Sequence, residues 1–168
     1  MLLNNIKIFF LLILLFLFNS CSGFKPLYKE NIAIINELQY FSIATDKKKI
    51  SQKVKKSLLS ILPINKKSKY IIKIEASSET SGTVSDTTRK ITRYKIEVSA
   101  KVKIYLRGKK YDKLMYSFNE SMSTPYSLIL NNIRSTIASK NNAESTSIRL
   151  LSEEIYKRIL IYLSNQQN

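Results

Sequence analysis

Two periods run through the apolar positions of this chain. Tyr94, Ile96, Val98, Ala100, Val102, Ile104 and Leu106 occupy every second position, with Lys95, Glu97, Ser99, Lys101, Lys103 and Arg107 in most of the gaps. That alternation predicts a half-buried strand of about 40 Å at roughly 3.3 Å per residue, which must twist or bend. Tyr70, Ile72, Ile74 and Ala76 repeat the pattern before a polar stretch, Ser81 to Asp86, that reads as a turn or hairpin tip. Gly108-Lys109-Lys110 supplies the next turn, and Leu114, Tyr116 and Phe118 begin a returning strand. Leu38 to Ile43, rich in aromatic and branched residues, predicts a strand ahead of all of these.

Helical spacing takes over in two places. Ile50, Val54, Leu58, Ile61 and Leu62 mark one amphipathic helix, with Asp46 placed to cap it and Pro63 to stop it. Its other face carries Lys47, Lys48, Lys49, Lys53, Lys55 and Lys56, which reads as a solvated stripe. A final helix from about Ile137 to Ser164 has Ile148, Leu151, Ile155, Ile159 and Tyr162 as its stripe. Glu153 with Lys157 and Glu154 with Arg158 are set four apart for ion pairs. The order strand, helix, three strands, helix predicts an α+β fold: two helices on one face of a small, about four-stranded, mixed or antiparallel sheet with a long β-hairpin.

The amino terminus obeys neither period. Ile8 to Phe18 is an unbroken apolar run of eleven residues behind Lys7. As a helix it would rise only about 16 Å, half a bilayer core, so it reads as the apolar region of a secretory signal. Directly after it, behind Ser20, stands the single cysteine of the chain, Cys21. A lone cysteine there predicts a lipoprotein signal, cut before Cys21 and acylated on its thiol; Phe18 and Asn19 depart from the usual residues of that signal. An unmodified thiol, or a general signal cut nearby, is the alternative. The expected organisation is a signal over residues 1–20, a lipidated start and tether over 21–36, and one domain over 37–168.

Charge and composition narrow the chemistry. Among 168 residues, 28 Lys+Arg stand against 12 Asp+Glu, for a formal charge of +16, falling to +15 when Lys7 leaves with the signal. No His and one Cys exclude imidazole triads, His/Cys metal sites and disulfide frameworks, and three Gly leave no phosphate loop. The carboxylates are scattered among lysines, without an acid/base pair. The expectation is therefore no enzyme, no metal and no cofactor. So basic a chain needs a polyanion, and a secretory signal leads away from nucleic acid toward phosphorylated lipid. Arg89, Lys90 and Arg93, where the hairpin leaves its polar tip, are the candidate anion site, since guanidinium forks hold phosphate bidentately. An ordinary solvated hairpin end is the alternative.

Cys21-Ser22-Gly23-Phe24-Lys25-Pro26-Leu27-Tyr28 resembles the Cys-Gly-Phe-x-Pro-Leu-Tyr start of the LPS-assembly lipoprotein family LptE, with Ser22 inserted. Thr92-Arg93-Tyr94, Gly108, Tyr126, Ala138, Ala143 and the segment from Leu151 to Leu163 continue the resemblance. It implies an outer-membrane lipoprotein on the periplasmic side, anchored through Cys21, that plugs an LptD-like β-barrel, assists its assembly and binds lipopolysaccharide. A generic periplasmic lipoprotein, serving as a tether or as auxiliary of an inner-membrane lipid transporter, is the alternative.

Overall fold

A computed structural model describes residues 41–62, 68–84, 91–129 and 132–166. The expected signal, the tether, and Leu38 to Tyr40 of the first expected strand lie outside the described residues. The elements run β1 (Phe41–Thr45), α1 (Lys49–Leu59), β2 (Tyr70–Val84), β3 (Ile91–Leu106), β4 (Lys113–Ser127) and α2 (Ile133–Gln166). The sheet order is β1-β2-β3-β4, with β1 parallel to β2 and the other pairs antiparallel. This is the expected α+β fold, and the sheet is mixed.

Both helices lie on one face of the sheet, formed by the even-numbered residues of β2, β3 and β4 from Tyr116 on, and by Phe41 and Ile43 of β1. Ile72, Ile74, Val98, Val102 and Ile104 of the sheet pack with Val54 and Leu58 of α1 and Leu151, Ile155 and Ile159 of α2, each at most 1% exposed. At about 1.5 Å per residue the 34 residues of α2 rise about 51 Å, matching a 15-residue strand at about 3.3 Å per residue. One long helix therefore follows the whole hairpin sheet. Its stripe is broader than its apolar positions suggest, because Ala143, Ser147 and Ser152 are buried with them.

Several elements differ from their sequence patterns. β2 extends through Val84, so Ser81 to Val84 are strand and not hairpin tip; Gly82 pairs with Tyr94 and Val84 with Ile91. Backbone pairing to a long neighbour outweighs the weak strand preference of Ser and Gly. Asp46 does not cap α1: the N-cap position is Lys48, whose side chain makes no cap bond. The Asp46 carboxylate instead accepts the Lys48 backbone N–H at 3.4 Å, and the Gln52 side-chain amide donates to the Asp46 carbonyl at 2.7 Å.

The last helix starts at Ile133, earlier than its apolar spacing shows, because the Asn132 side chain accepts the Ser135 N–H at 3.0 Å as a cap. Its ion pairs also regroup. Glu153 pairs with Arg149 and Glu154 with Lys157, leaving Arg158 to reach Glu120 on β4.

Two features explain how the sheet ends. β1 stops at Thr45, opposite Ile74, so β2 loses its neighbour there. The next backbone groups facing that side belong to Ala76, and the buried Ser51 hydroxyl of α1 meets both, accepting the N–H at 2.8 Å and donating to the carbonyl at 3.3 Å. At the other edge, Pro125 lies in β4, where a missing N–H on the outer side breaks no ladder bond.

Candidate functional site

Of the residues singled out in the sequence, Cys21, Arg89 and Lys90 lie outside the described residues. Arg93 is placed. It sits on β3 opposite Thr83 of β2 and Ser127 of β4, with an exposed side chain. Strand alternation sends Arg93 to the open face and its neighbour Tyr94 to the helix face. Tyr94 stacks on Tyr126 at 5.5 Å with 21° between the rings, and the two join Ile96 and Ala143 in a small apolar cluster separate from the main core. Burial, and then the nearby Tyr94, push the Tyr126 hydroxyl pKa above its ordinary value. Arg93 thus stands on a strand held from behind by packed aromatics.

The same arrangement settles where the tyrosines point. Tyr116 stacks on Tyr162 of α2 at 4.8 Å with 4° between the rings and lies 5.3 Å from Phe118, so it belongs to the helix-covered layer. Burial, with Tyr70 second, raises the Tyr162 pKa. Tyr105 faces the other way, with the Lys73 ammonium 4.6 Å from its ring centre. An aromatic platform for stacked bases would need several rings on the open face. Among the described strand residues, Tyr105 is the one there.

The open face mixes small polar side chains with charged ones. Ser77, Ser99, Asn119 and Ser121 line a groove of about 570 Å³ with Glu75 and Lys101. These positions were visible in the sequence only as the polar half of each alternation; the register of three strands is what brings them side by side. The groove offers hydroxyl, amide and charged groups to a polar surface, Lys48 and Glu120 also lining it. Its composition suits contact with a hydrated partner better than burial of an acyl chain.

On the helix side, Arg158 spans from α2 to β4. Its guanidinium approaches the Glu120 carboxylate at ion-pair range without hydrogen-bond alignment, and it lies 5.9 Å from the Phe118 ring centre. The attraction is therefore Coulombic and packing-based, and it pins the helix to the edge strand. The segment around Arg158 has a structural task that its charge alone does not reveal.

No protein-family model and no curated protein matches the chain. Solved structures do match. A protein described as a lipoprotein from Caulobacter crescentus CB15 aligns with TM-score 0.63 and 11% identity, covering 79% of this chain and 97% of that one. The rare lipoprotein B of Shewanella oneidensis aligns with TM-score 0.59 and 13% identity, over 76% and 98% of the two chains. A minor lipoprotein of Acinetobacter baumannii gives 0.53 and 12%, over 74% and 92%. The chain shares the fold of these lipoproteins. At such identities the likeness carries architecture, and residue roles do not transfer with it.

Proposed function

We propose that this chain is an LptE-like lipoprotein, anchored through Cys21 at the periplasmic side of the outer membrane, that plugs and helps assemble an LptD-like β-barrel and binds lipopolysaccharide for insertion into the outer leaflet. The observation that carries the reading is a coincidence of two independent signals. The cysteine-led octet from Cys21 to Tyr28 resembles the start of that family, and the domain behind it has a fold shared with three proteins described as lipoproteins. The role is one of holding and passing a lipid, without catalysis, cofactor or nucleic acid.

The open sheet face is the surface this reading assigns to the barrel. A barrel interior is polar and hydrated, and Ser77, Ser99, Asn119 and Ser121 are small polar side chains that permit close approach. Arg89, Lys90 and Arg93 are assigned to lipid phosphates at the hairpin end.

Affinity purification from native outer membranes in mild detergent tests the plug role. Recovery of a large outer-membrane β-barrel supports it; recovery of an inner-membrane transporter, or of no barrel, refutes it. Charge reversal at Arg89, Lys90 and Arg93 together tests the phosphate role. Lipopolysaccharide affinity and its dependence on salt should both fall, and unchanged affinity removes the cluster from the site.

A further inference from the structure

The strand register gathers a second basic group at the end of the sheet opposite Arg93. Tyr70 of β2 lies beside Leu106 of β3, and Leu106 beside Lys113 of β4, so the start of β2, the end of β3 and the start of β4 meet there. That end carries Lys69, Arg107, Lys109, Lys110 and Lys113, all exposed, with Asp112 as the acid among them. Lys73 and Lys103 extend the group onto the open face, directly opposite each other across the β2/β3 pair. None of these basic side chains has an ion-pair partner among the described residues. Like charges placed opposite one another repel. An external anionic surface would relieve that repulsion.

Charge is accompanied by two apolar side chains that the fold does not use. Tyr111 is 86% exposed and Leu114 50% exposed, both within the lysine-rich turn and strand start. An amphipathic aromatic ring ringed by lysines is the composition that settles at a headgroup layer, with the ring among glycerol groups and the ammonium groups on phosphates.

We infer that this turn end, centred on Tyr111 with Lys109, Lys110 and Lys113, is a docking surface for an anionic phospholipid bilayer. The inference rests on the anchored reading only to bring the domain to a membrane. Chain connectivity agrees with it, because β1 enters the sheet at the same end, Phe41 lying beside Tyr70. The tether does not force that orientation. Fully extended, the residues between Cys21 and Phe41 could reach about 66 Å, more than the roughly 50 Å length of β4. Charge is what selects the end that faces the lipid. Each basic group near an anionic surface raises residence there about fivefold, so neutralising three of them lowers it on the order of 100-fold.

The chain contains no tryptophan, so Tyr111→Trp places a single reporter at the turn, and Ser123→Trp, exposed in β4 opposite Glu97 and away from both basic ends, is the control. The full chain bearing either substitution is added to vesicles of phosphatidylcholine with about one third phosphatidylglycerol, both with brominated acyl chains. Emission from position 111 should be strongly quenched, and emission from position 123 should not. Quenching at 111 should be lost in pure phosphatidylcholine, in 1 M NaCl, where the screening length is about 3 Å, and in the Lys109→Gln, Lys110→Gln, Lys113→Gln variant. Quenching that is absent, equal at both positions, or indifferent to anionic lipid overturns the inference. Retention on vesicles at high salt reports the anchor separately, so loss of retention with salt-sensitive quenching at 111 intact refutes the anchor and leaves the docking surface standing.

Discussion

Replacing Ser51 by alanine tests whether one helix side chain substitutes for a missing strand. β1 ends opposite Ile74, and the Ala76 backbone next in line is met by the Ser51 hydroxyl as both acceptor and donor, at 2.8 and 3.3 Å. Ser51 is 0% exposed, so water does not replace the lost oxygen without opening the packing. An unsatisfied buried donor or acceptor costs about 1–3 kcal/mol. The shorter contact, to the N–H, carries most of this, and the better helix propensity of alanine returns about 0.5 kcal/mol. Ser51→Ala should therefore lower stability by about 0.5–2.5 kcal/mol.

Ser152→Ala is the matched control. Ser152 is also 0% exposed, but its hydroxyl donates at 2.8 Å to the carbonyl of Ile148 one turn back on its own helix. Removing that bond orphans no strand group, and the change should stay within about 1 kcal/mol. Urea denaturation of the full chain in mild detergent, followed by circular dichroism, gives both values. Hydrogen exchange at the Ala76 amide should accelerate in Ser51→Ala alone. Equal stability of the two variants, or unchanged exchange at Ala76, refutes the strand-substitute argument.

Gly108→Ala should destabilise the domain by about 1–3 kcal/mol, because a Cβ there would lie 1.9 Å from the Tyr111 carbonyl oxygen; faster amide exchange around the β3/β4 turn would register the forced opening. Tyr126 and Tyr162 have raised folded-state pKa values, so their neutral forms stabilise the fold fully below the ordinary tyrosine pKa of about 10. That stability is lost as pH rises through the folded-state values, and Tyr126→Phe with Tyr162→Phe should flatten the decline in urea midpoint above about pH 10. Arg158→Ala leaves the Glu120 carboxylate, whose side chain is 12% exposed, without its cation and should cost about 1–2 kcal/mol after allowance for the half-exposed arginine. Arg149→Ala, which breaks an exposed pair within one helix, should cost less than about 0.5 kcal/mol by the same denaturation measurement.

The sequence by itself determined the element order, the number of strands, the faces of β3 and α1, and the excess of basic charge. Period is a local property: a residue's burial repeats every second or every third to fourth position whatever the rest of the chain does, so Val98, Ile104, Val54 and Leu58 are legible without a fold. The cysteine-led octet is likewise a linear signal. It remained legible although the residues that carry it lie outside those described.

What only the tertiary structure decided were relations between elements. Ser81 to Val84 became strand because β3 runs beside them, and Arg158 left its helical neighbour because Glu120 on β4 stands within reach. Ser51 shows no special pattern in the sequence, and its role exists only because β1 is short. The same holds for charge. Lys69, Arg107 and Lys113 are spread over three segments of the chain and form one surface only through strand register, since antiparallel pairing brings the end of β3 beside the starts of β2 and β4. Local periodicity fixes which side of an element faces the core, whereas register fixes which distant side chains share a surface.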